Sequence, residues 1–251
     1  EINIVVVTDV HSWISGNKYD SSQHWPYDKS RLSFSNVDYG DVLSFYRHLE
    51  DIIDDNNQES KNKSDIFFVM NGDFVDGTGL SSVPPIHLTP LLERMPFNAI
   101  NVGNHELYLN STIEFLTEGN NNKANNETET ETESFINSWK GNYLSSNTIL
   151  LSATKKGVKS PLGSRYTYLT GKNTNKTILT FGFLFNMKDY SSLVEVEKVQ
   201  NVIEQQWFVN VLTSSKAKHY DAIVVLAHMD CLDPLVKVIL DRIRQLTSSR
   251  Q

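Results

Sequence analysis

Six side chains that commonly bind divalent metals lie just after apolar runs in the sequence. They are Asp9, His11, Asp73, Asn104, His105 and His228. Carboxylate oxygens, imidazole nitrogens and an amide oxygen form a hard-to-borderline ligand set that suits divalent cations. Any one of these residues could simply cap a helix or bond within a loop. Taken together, they predict a site for two metal ions.

The elements that must position these side chains are short apolar strands. Strands are predicted at residues 2–8, 65–71, 97–102, 148–152, 165–170, 177–184 and 221–227. Helices are predicted near residues 40–55, 87–95, 107–118, 192–213 and 234–246. This alternation is typical of α/β domains. Because ligands bind beyond the carboxyl ends of strands in such sheets, the candidate ligands are expected at one rim.

Composition excludes several classes of function. The chain has 251 residues and a formal net charge of -7. Its Lys and Arg residues are scattered, which argues against a nucleic-acid partner. No run approaches the roughly 20 apolar residues of a membrane-spanning helix. A small phosphorylated substrate would therefore have to be attracted locally, by bound cations.

Chain length does not decide the domain organisation, since 251 residues can form one large α/β domain or two small ones. Within the chain, residues 119–133 (GNNNKANNETETETE) are polar and repetitive. Such a segment cannot repay its ordering entropy and is predicted to be a solvated insert.

Four short motifs resemble a known family. D-V-H at 9–11, G-D-F-V-D at 72–76, G-N-H-E at 103–106 and A-H at 227–228 resemble the calcineurin-like metallophosphoesterases in order and spacing. G-D-F-V-D-G-T-G-L at 72–80 and Y-L-S-S-N at 143–147 are similar to the amino-terminal catalytic domain of fungal-type 5'-nucleotidases. The resemblance covers essentially the whole chain and implies one catalytic domain over residues 1–251. The implied fold is a four-layer α/β/β/α sandwich with two mixed sheets.

The resemblance also implies a ligand set for two divalent metal ions, Zn, Mn or similar. Asp9 and His11 would bind the first metal, Asp73 would bridge both, and Asn104 and His228 would bind the second. A bridging carboxylate can hold two cations about 3.5–4 Å apart against their repulsion.

The reaction implied is hydrolysis of phosphate monoesters, chiefly nucleoside 5'-monophosphates, by attack of metal-activated water on phosphorus. His105 is the candidate catalytic residue at the leaving oxygen. Asp76 is a candidate partner that orients a histidine, with a turn residue as the alternative.

Two departures from the family pattern stand out. The family ends its metal site with G-H-x-H, and no such motif follows His228, so we expect the domain to be truncated at its carboxyl end. In the 5'-nucleotidases, an Asp usually stands three residues after the histidine of G-N-H-E, where this chain has Tyr108. The orienting partner of His105 therefore stays open at the level of sequence.

These departures leave two alternative functions. One is a phosphoesterase-fold binding module without catalysis, and the other is a cyclic-nucleotide phosphodiesterase on the same dinuclear site. The family further implies a carboxyl-terminal substrate-binding domain in the full-length protein. It also implies a secreted, cell-surface or vacuolar location.

Overall fold

A computed structural model describes residues 1–14, 38–59, 61–76, 80, 82–118, 133–151 and 159–248. The strands within these residues are β1 (Ile2–Val7), β2 (Asp65–Met70), β3 (Ala99–Asn101), β4 (Tyr143–Leu144), β5 (Thr148–Leu151), β6 (Lys159–Pro161), β7 (Tyr166–Thr170), β8 (Thr177–Leu184), β9 (Val194–Val196) and β10 (Ala222–His228). The helices are α1 (Tyr39–Glu59), α2 (Thr89–Leu92), α3 (Asn110–Glu118), α4 (Phe135–Ser138), α5 (Val199–Val202), α6 (Gln206–Thr213) and α7 (Pro234–Thr247), with a 3-10 turn at His105–Leu107. The predicted α/β class is confirmed.

The described strands form three sheets. The first is parallel throughout, with the order β1-β2-β3-β4. The second has the order β10-β8-β7 and is mixed, since β10 runs parallel and β7 antiparallel to β8. The third is a short antiparallel sheet, β6-β5-β9. The resemblance implies two mixed sheets. The described residues instead form one parallel sheet, one mixed sheet and a small third sheet.

Three apolar clusters show how the layers stack. The largest packs α1–α4 against one face of the parallel sheet, as in the contact of Tyr46 with Phe68. A second cluster packs α5–α7 against the mixed sheet, where Phe208 meets Phe181. The third lies between the two sheets and includes Phe67 of β2. This is the four-layer α/β/β/α arrangement.

Strand β2 illustrates why the sequence folds in this way. Its residues 66–70 are continuously apolar, and neighbours point to opposite faces. Phe68 joins the helix-side cluster, whereas Phe67 and Val69 join the cluster between the sheets. A strand covered on both faces must be apolar at every position, so β2 is fixed at the centre of the sandwich.

The predicted long helix over residues 192–213 is wrong. Residues 194–196 instead form β9, which pairs antiparallel with β5. Two short helices follow, and the residues before them, Lys198 and Gln205, have extended backbone. The Val-Glu-Val alternation of β9 fits a strand with one buried face, so tertiary pairing prevailed over the helical spacing of the apolar residues.

Strands β1, β2 and β3 of the parallel sheet and β10 of the mixed sheet carry the candidate ligands at or just beyond their carboxyl ends. None of the helices in the described ranges combines the length and apolar content that a bilayer crossing requires. Residues 119–132 of the predicted insert lie outside the described residues, and Glu133 is exposed.

Candidate metal centre

The loops that follow β1 and β2 are bonded to each other along the rim. The N–H of Asp9 donates to the carbonyl of Gly72 at 3.1 Å, and the N–H of His11 donates to the carbonyl of Asp73 at 2.9 Å. Asp9, His11 and Asp73 have left-handed φ angles of 55°, 47° and 54°. Such backbone is costly for non-glycine residues and is concentrated at functional sites. In this site, all three residues with this backbone are candidate metal ligands.

Asp73 lies at the centre of the site. The residue is 3% exposed, and its Oδ2 faces three imidazoles. Oδ2 lies 3.2 Å from Nε2 of His228, 3.8 Å from Nε2 of His11 and 3.9 Å from Nε2 of His105. Its other oxygen, Oδ1, accepts the backbone N–H of His105 at 2.9 Å. One carboxylate therefore faces ligands from three different loops.

Within the described residues, the His, Cys, Asp and Glu donors form two sets whose atoms lie within 4.8 Å of one another. One set is His11, Asp73 and His105, and the other is Asp9, Asp73 and His228. Asp73 belongs to both, as a bridging carboxylate would. Asp9 and His11 fall into different sets, whereas the family resemblance placed them on the same metal.

Asn104 completes the second group of donors. Its Oδ1 lies 3.0 Å from Nε2 of His228, and its Nδ2 donates to the hydroxyl of Tyr108 at 2.9 Å. His228 is fixed from its other side, where Nδ1 lies 2.7 Å from the carbonyl of Asn71. That carbonyl can accept only from a protonated Nδ1, so Nε2 is directed into the site.

His105 lies beside Asp76. Its Nδ1 lies 2.8 Å from Oδ2 of Asp76, which is exposed and has a left-handed φ of 63°. The ring packs edge-on against His11, with centroids 4.4 Å apart, and against Tyr108 at 5.1 Å. The two predicted catalytic residues are therefore in contact, and position 108 supplies a ring where the family usually has a carboxylate.

Glu106 joins two loops of the site through its carboxylate, a role that its residue type and position in G-N-H-E do not indicate. The residue is 0% exposed. Its Oε2 accepts the N–H groups of Gly103 at 2.7 Å and Asp73 at 2.9 Å. Its Oε1 accepts those of Phe74 at 2.8 Å and Val75 at 3.1 Å. One buried carboxylate thus joins the loops after β2 and β3. The residues of G-N-H-E gave no sign of these contacts, which are made to a distant loop.

Burial and charge shift the pKa values of three neighbouring groups. Burial would lower the pKa of His228, but its hydrogen bond to Asp73 and the charge of that carboxylate raise it to about 9. Burial would raise the pKa of Asp73, yet its bonds to His228 and the backbone of His105 lower it. Burial, followed by the charge of Asp73, raises the pKa of Glu106 to about 7. In the metal-free site, the charge of Asp73 therefore affects the pKa values of both His228 and Glu106. A bound cation would displace the proton of His228.

The donor chemistry and the tight backbone around Asp73 fit a bound cation. A Cβ added to Gly103 would lie 2.2 Å from Oδ1 of Asp73, and one added to Gly72 would lie 2.9 Å from Nδ1 of His228. These glycines let backbone approach the central carboxylate and imidazole. The buried Asp73 and His228 converge with Asp9, His11 and His105, which are more exposed. Carboxylates and imidazoles are ligands that divalent transition metals prefer.

A four-layer α/β/β/α sandwich with such donors at one rim defines a metallophosphoesterase-type domain. The sequence model of the calcineurin-like phosphoesterases matches residues 2–240, and the chain belongs to this family. Its structural neighbours are hydrolases of the 5'-nucleotidase type.

Three of the matches show what the chain is similar to. A 5'-nucleotidase from Candida albicans superposes with a TM-score of 0.75 and 25% identity, over 98% of this chain and 39% of that one. A 5'-nucleotidase precursor from Thermus thermophilus superposes with a TM-score of 0.55 and 15% identity, over 90% of this chain and 36% of that one. At this identity the likeness shows the fold alone. A protein of Arthroderma benhamiae named "Secreted protein" is 24% identical over 98% of this chain and 32% of its own length. The chain thus spans about a third of the length of its curated relatives.

Proposed function

We propose that this chain is the catalytic domain of a metal-dependent phosphatase that hydrolyses nucleoside 5'-monophosphates. The observation that carries the proposal is the convergence of imidazole, carboxylate and amide donors on the buried Asp73. Its likeness to the Candida albicans 5'-nucleotidase, over nearly the whole chain, supports the choice of substrate class.

Two divalent cations fit the donors on either side of Asp73. His11 and His105 lie on one side of Asp73, with Asp9, His228 and Asn104 on the other. Because His105 is assigned to the leaving group, bound water would complete the ligands of the metal beside His11. When bound, the cations supply a nucleophilic water and neutralise the phosphoryl oxygens. Zn and Mn are the candidates that suit a mixed set of imidazole, carboxylate and amide ligands.

His105 acts at the leaving group. Its Nδ1–H is held by the carboxylate of Asp76 at 2.8 Å, so Nε2 is free to face the substrate. A protonated Nε2 donates its proton to the nucleoside oxygen as the P–O bond breaks. Asp76 stabilises the imidazolium before this transfer and fixes the ring orientation. The carboxylate that position 108 lacks is thus supplied by the loop after β2.

The partner is proposed to be a small phosphorylated molecule, which the likeness to 5'-nucleotidases supports. A carboxyl-terminal domain of the full-length protein is proposed, from the family resemblance, to contribute to nucleoside binding. Secretion is supported by the Arthroderma benhamiae relative, which is named as a secreted protein.

The test is a substrate panel on the complete natural protein with added Zn or Mn. AMP, an aryl phosphate and a 2',3'-cyclic nucleotide are compared by phosphate or monoester release. We expect AMP to be hydrolysed fastest, and Asp73→Asn to abolish release while the exposed control Asp55→Asn retains it. Preference for the cyclic nucleotide would identify a phosphodiesterase. Failure to release product from any substrate with metals bound would identify a binding module.

A further inference from the structure

We infer that Tyr108 positions both Asn104 and His105, so that one aromatic side chain replaces the family's carboxylate with a different task. The inference rests on the proposed function, because it assigns Asn104 to a metal and His105 to the leaving group. Its basis is the pair of contacts that Tyr108 makes, one through its hydroxyl and one through its ring.

The hydroxyl contact concerns the orientation of an amide. The side chain of Asn104 could present either its oxygen or its NH₂ group to the metal, and only the oxygen can bind a cation. Its Nδ2 donates to the hydroxyl of Tyr108 at 2.9 Å, and Oδ1 is then directed to within 3.0 Å of Nε2 of His228. The hydroxyl therefore favours the orientation that a bound cation requires.

The ring contact concerns the leaving-group histidine. The imidazole of His105 contacts two rings edge-on, with the His11 centroid at 4.4 Å and the Tyr108 centroid at 5.1 Å, each at an interplanar angle of 82°. Asp76 holds Nδ1 but is itself exposed on a loop. Tyr108 thus provides one wall that keeps the imidazole from swinging away from the site.

The position of Tyr108 makes both contacts possible. It is the residue that follows the 3-10 turn His105–Leu107, and its helical backbone brings its side chain back over the start of that turn. It is 41% exposed, so burial does not account for a large aromatic residue there. An aspartate at this position could orient His105 but is too short to form an aromatic wall.

The test separates the hydroxyl from the ring. In the complete natural protein, Tyr108→Phe removes only the hydroxyl, and Tyr108→Leu removes both. Tyr166→Phe is the matched control, because Tyr166 packs against α6 on the outer face of the mixed sheet. Metal-free protein is titrated with Zn or Mn by calorimetry, and kcat and KM for AMP are measured at saturating metal.

We expect Tyr108→Phe to weaken the binding of the metal assigned to Asn104 about 2- to 12-fold. This is the range for the loss of one net hydrogen bond, about 2- to 12-fold. Its kcat should return to that of the wild type at saturating metal. At saturating metal, Tyr108→Leu should still have a reduced kcat and a nearly unchanged KM, because the aromatic ring that restrains the imidazole of His105 has been removed.

A metal affinity of Tyr108→Phe equal to that of Tyr166→Phe would overturn the role of the hydroxyl. A kcat of Tyr108→Leu equal to wild type at saturating metal would overturn the role of the ring. Either result leaves the proposed function standing. Absence of metal binding in the wild-type protein would instead overturn the proposed function, and this inference with it.

Discussion

Replacing Glu106 by Gln isolates the contribution of the buried carboxylate that joins two loops of the site. Glu106 accepts four backbone N–H groups, two on each oxygen. Glutamine has one oxygen and one NH₂ group, so either amide orientation leaves two N–H donors facing a group that cannot accept. The loss is largest relative to the ionised carboxylate, whose two oxygens can each accept two N–H groups.

The expected loss of stability follows from the two backbone N–H groups that are left without an acceptor. A buried N–H left without an acceptor costs about 1–3 kcal/mol, so two cost about 2–6 kcal/mol of the free energy of unfolding. Loss of the negative charge beside Asp73 offsets part of this cost. We therefore expect Glu106→Gln to destabilise the metal-free protein by about 2–4 kcal/mol. Because the bonds hold the loop that carries Asp73, metal affinity should fall as well.

The assay compares Glu106→Gln with Glu114→Gln, an exposed residue on α3 with the same chemical change. Urea unfolding gives the free energy, and hydrogen exchange measured by mass spectrometry gives the protection of residues 71–76. Exposed substitutions usually change stability by less than about 0.5 kcal/mol. If Glu106→Gln matches that control in stability, in exchange of this loop and in metal affinity, the organising role of Glu106 is refuted.

Three further substitutions test other contacts. Asp76→Asn should lower kcat about 10- to 100-fold by releasing His105, with metal content unchanged; a proportional loss of metal would place Asp76 among the ligands instead. Gly103→Ala, whose Cβ would lie 2.2 Å from Oδ1 of Asp73, should destabilise the protein by about 1–3 kcal/mol, and a wild-type urea midpoint would contradict the tight approach. Asp65→Ala removes the acceptor for two N–H groups of the β7–β8 turn and should cost about 2–4 kcal/mol, whereas calorimetry should find metal affinity unchanged.

The strands that carry the ligands could be predicted from sequence because burial on both faces requires continuous apolar runs. Residues 177–184 form β8 as predicted, and 65–71 differs from β2 by one residue. The short β4, at Tyr143–Leu144, has too few residues for any pattern to emerge. The helix predicted over 192–213 was wrong for a different reason. The apolar spacing of this stretch fits a helix, and only pairing with β5 determines that 194–196 is a strand.

The candidate site shows the same limit at the level of side chains. The residue types of Asp73 and His228 and their places after strands predicted that they would meet. The contact between Asp76 and His105 was open in the sequence, because the two residues lie 29 positions apart and the spacing within G-N-H-E says nothing about it. Sequence thus predicted which groups gather at the rim, but the hydrogen bonds among them depend on the path of the loops.

Those loop paths are coupled by a reciprocal pair of bonds between G-D-F-V-D and G-N-H-E. The backbone N–H of Asp73 donates to the carboxylate of Glu106, and the carboxylate of Asp73 accepts the backbone N–H of His105. Each motif therefore binds the backbone of the other through an acidic side chain. A displacement of either loop would break bonds on both sides, so the carboxylate of Asp73 and the imidazole of His105 must move together. Under the proposed function, the buried carboxylate of Glu106 thereby helps to fix the distance between the proposed metal ligand and the proposed proton donor.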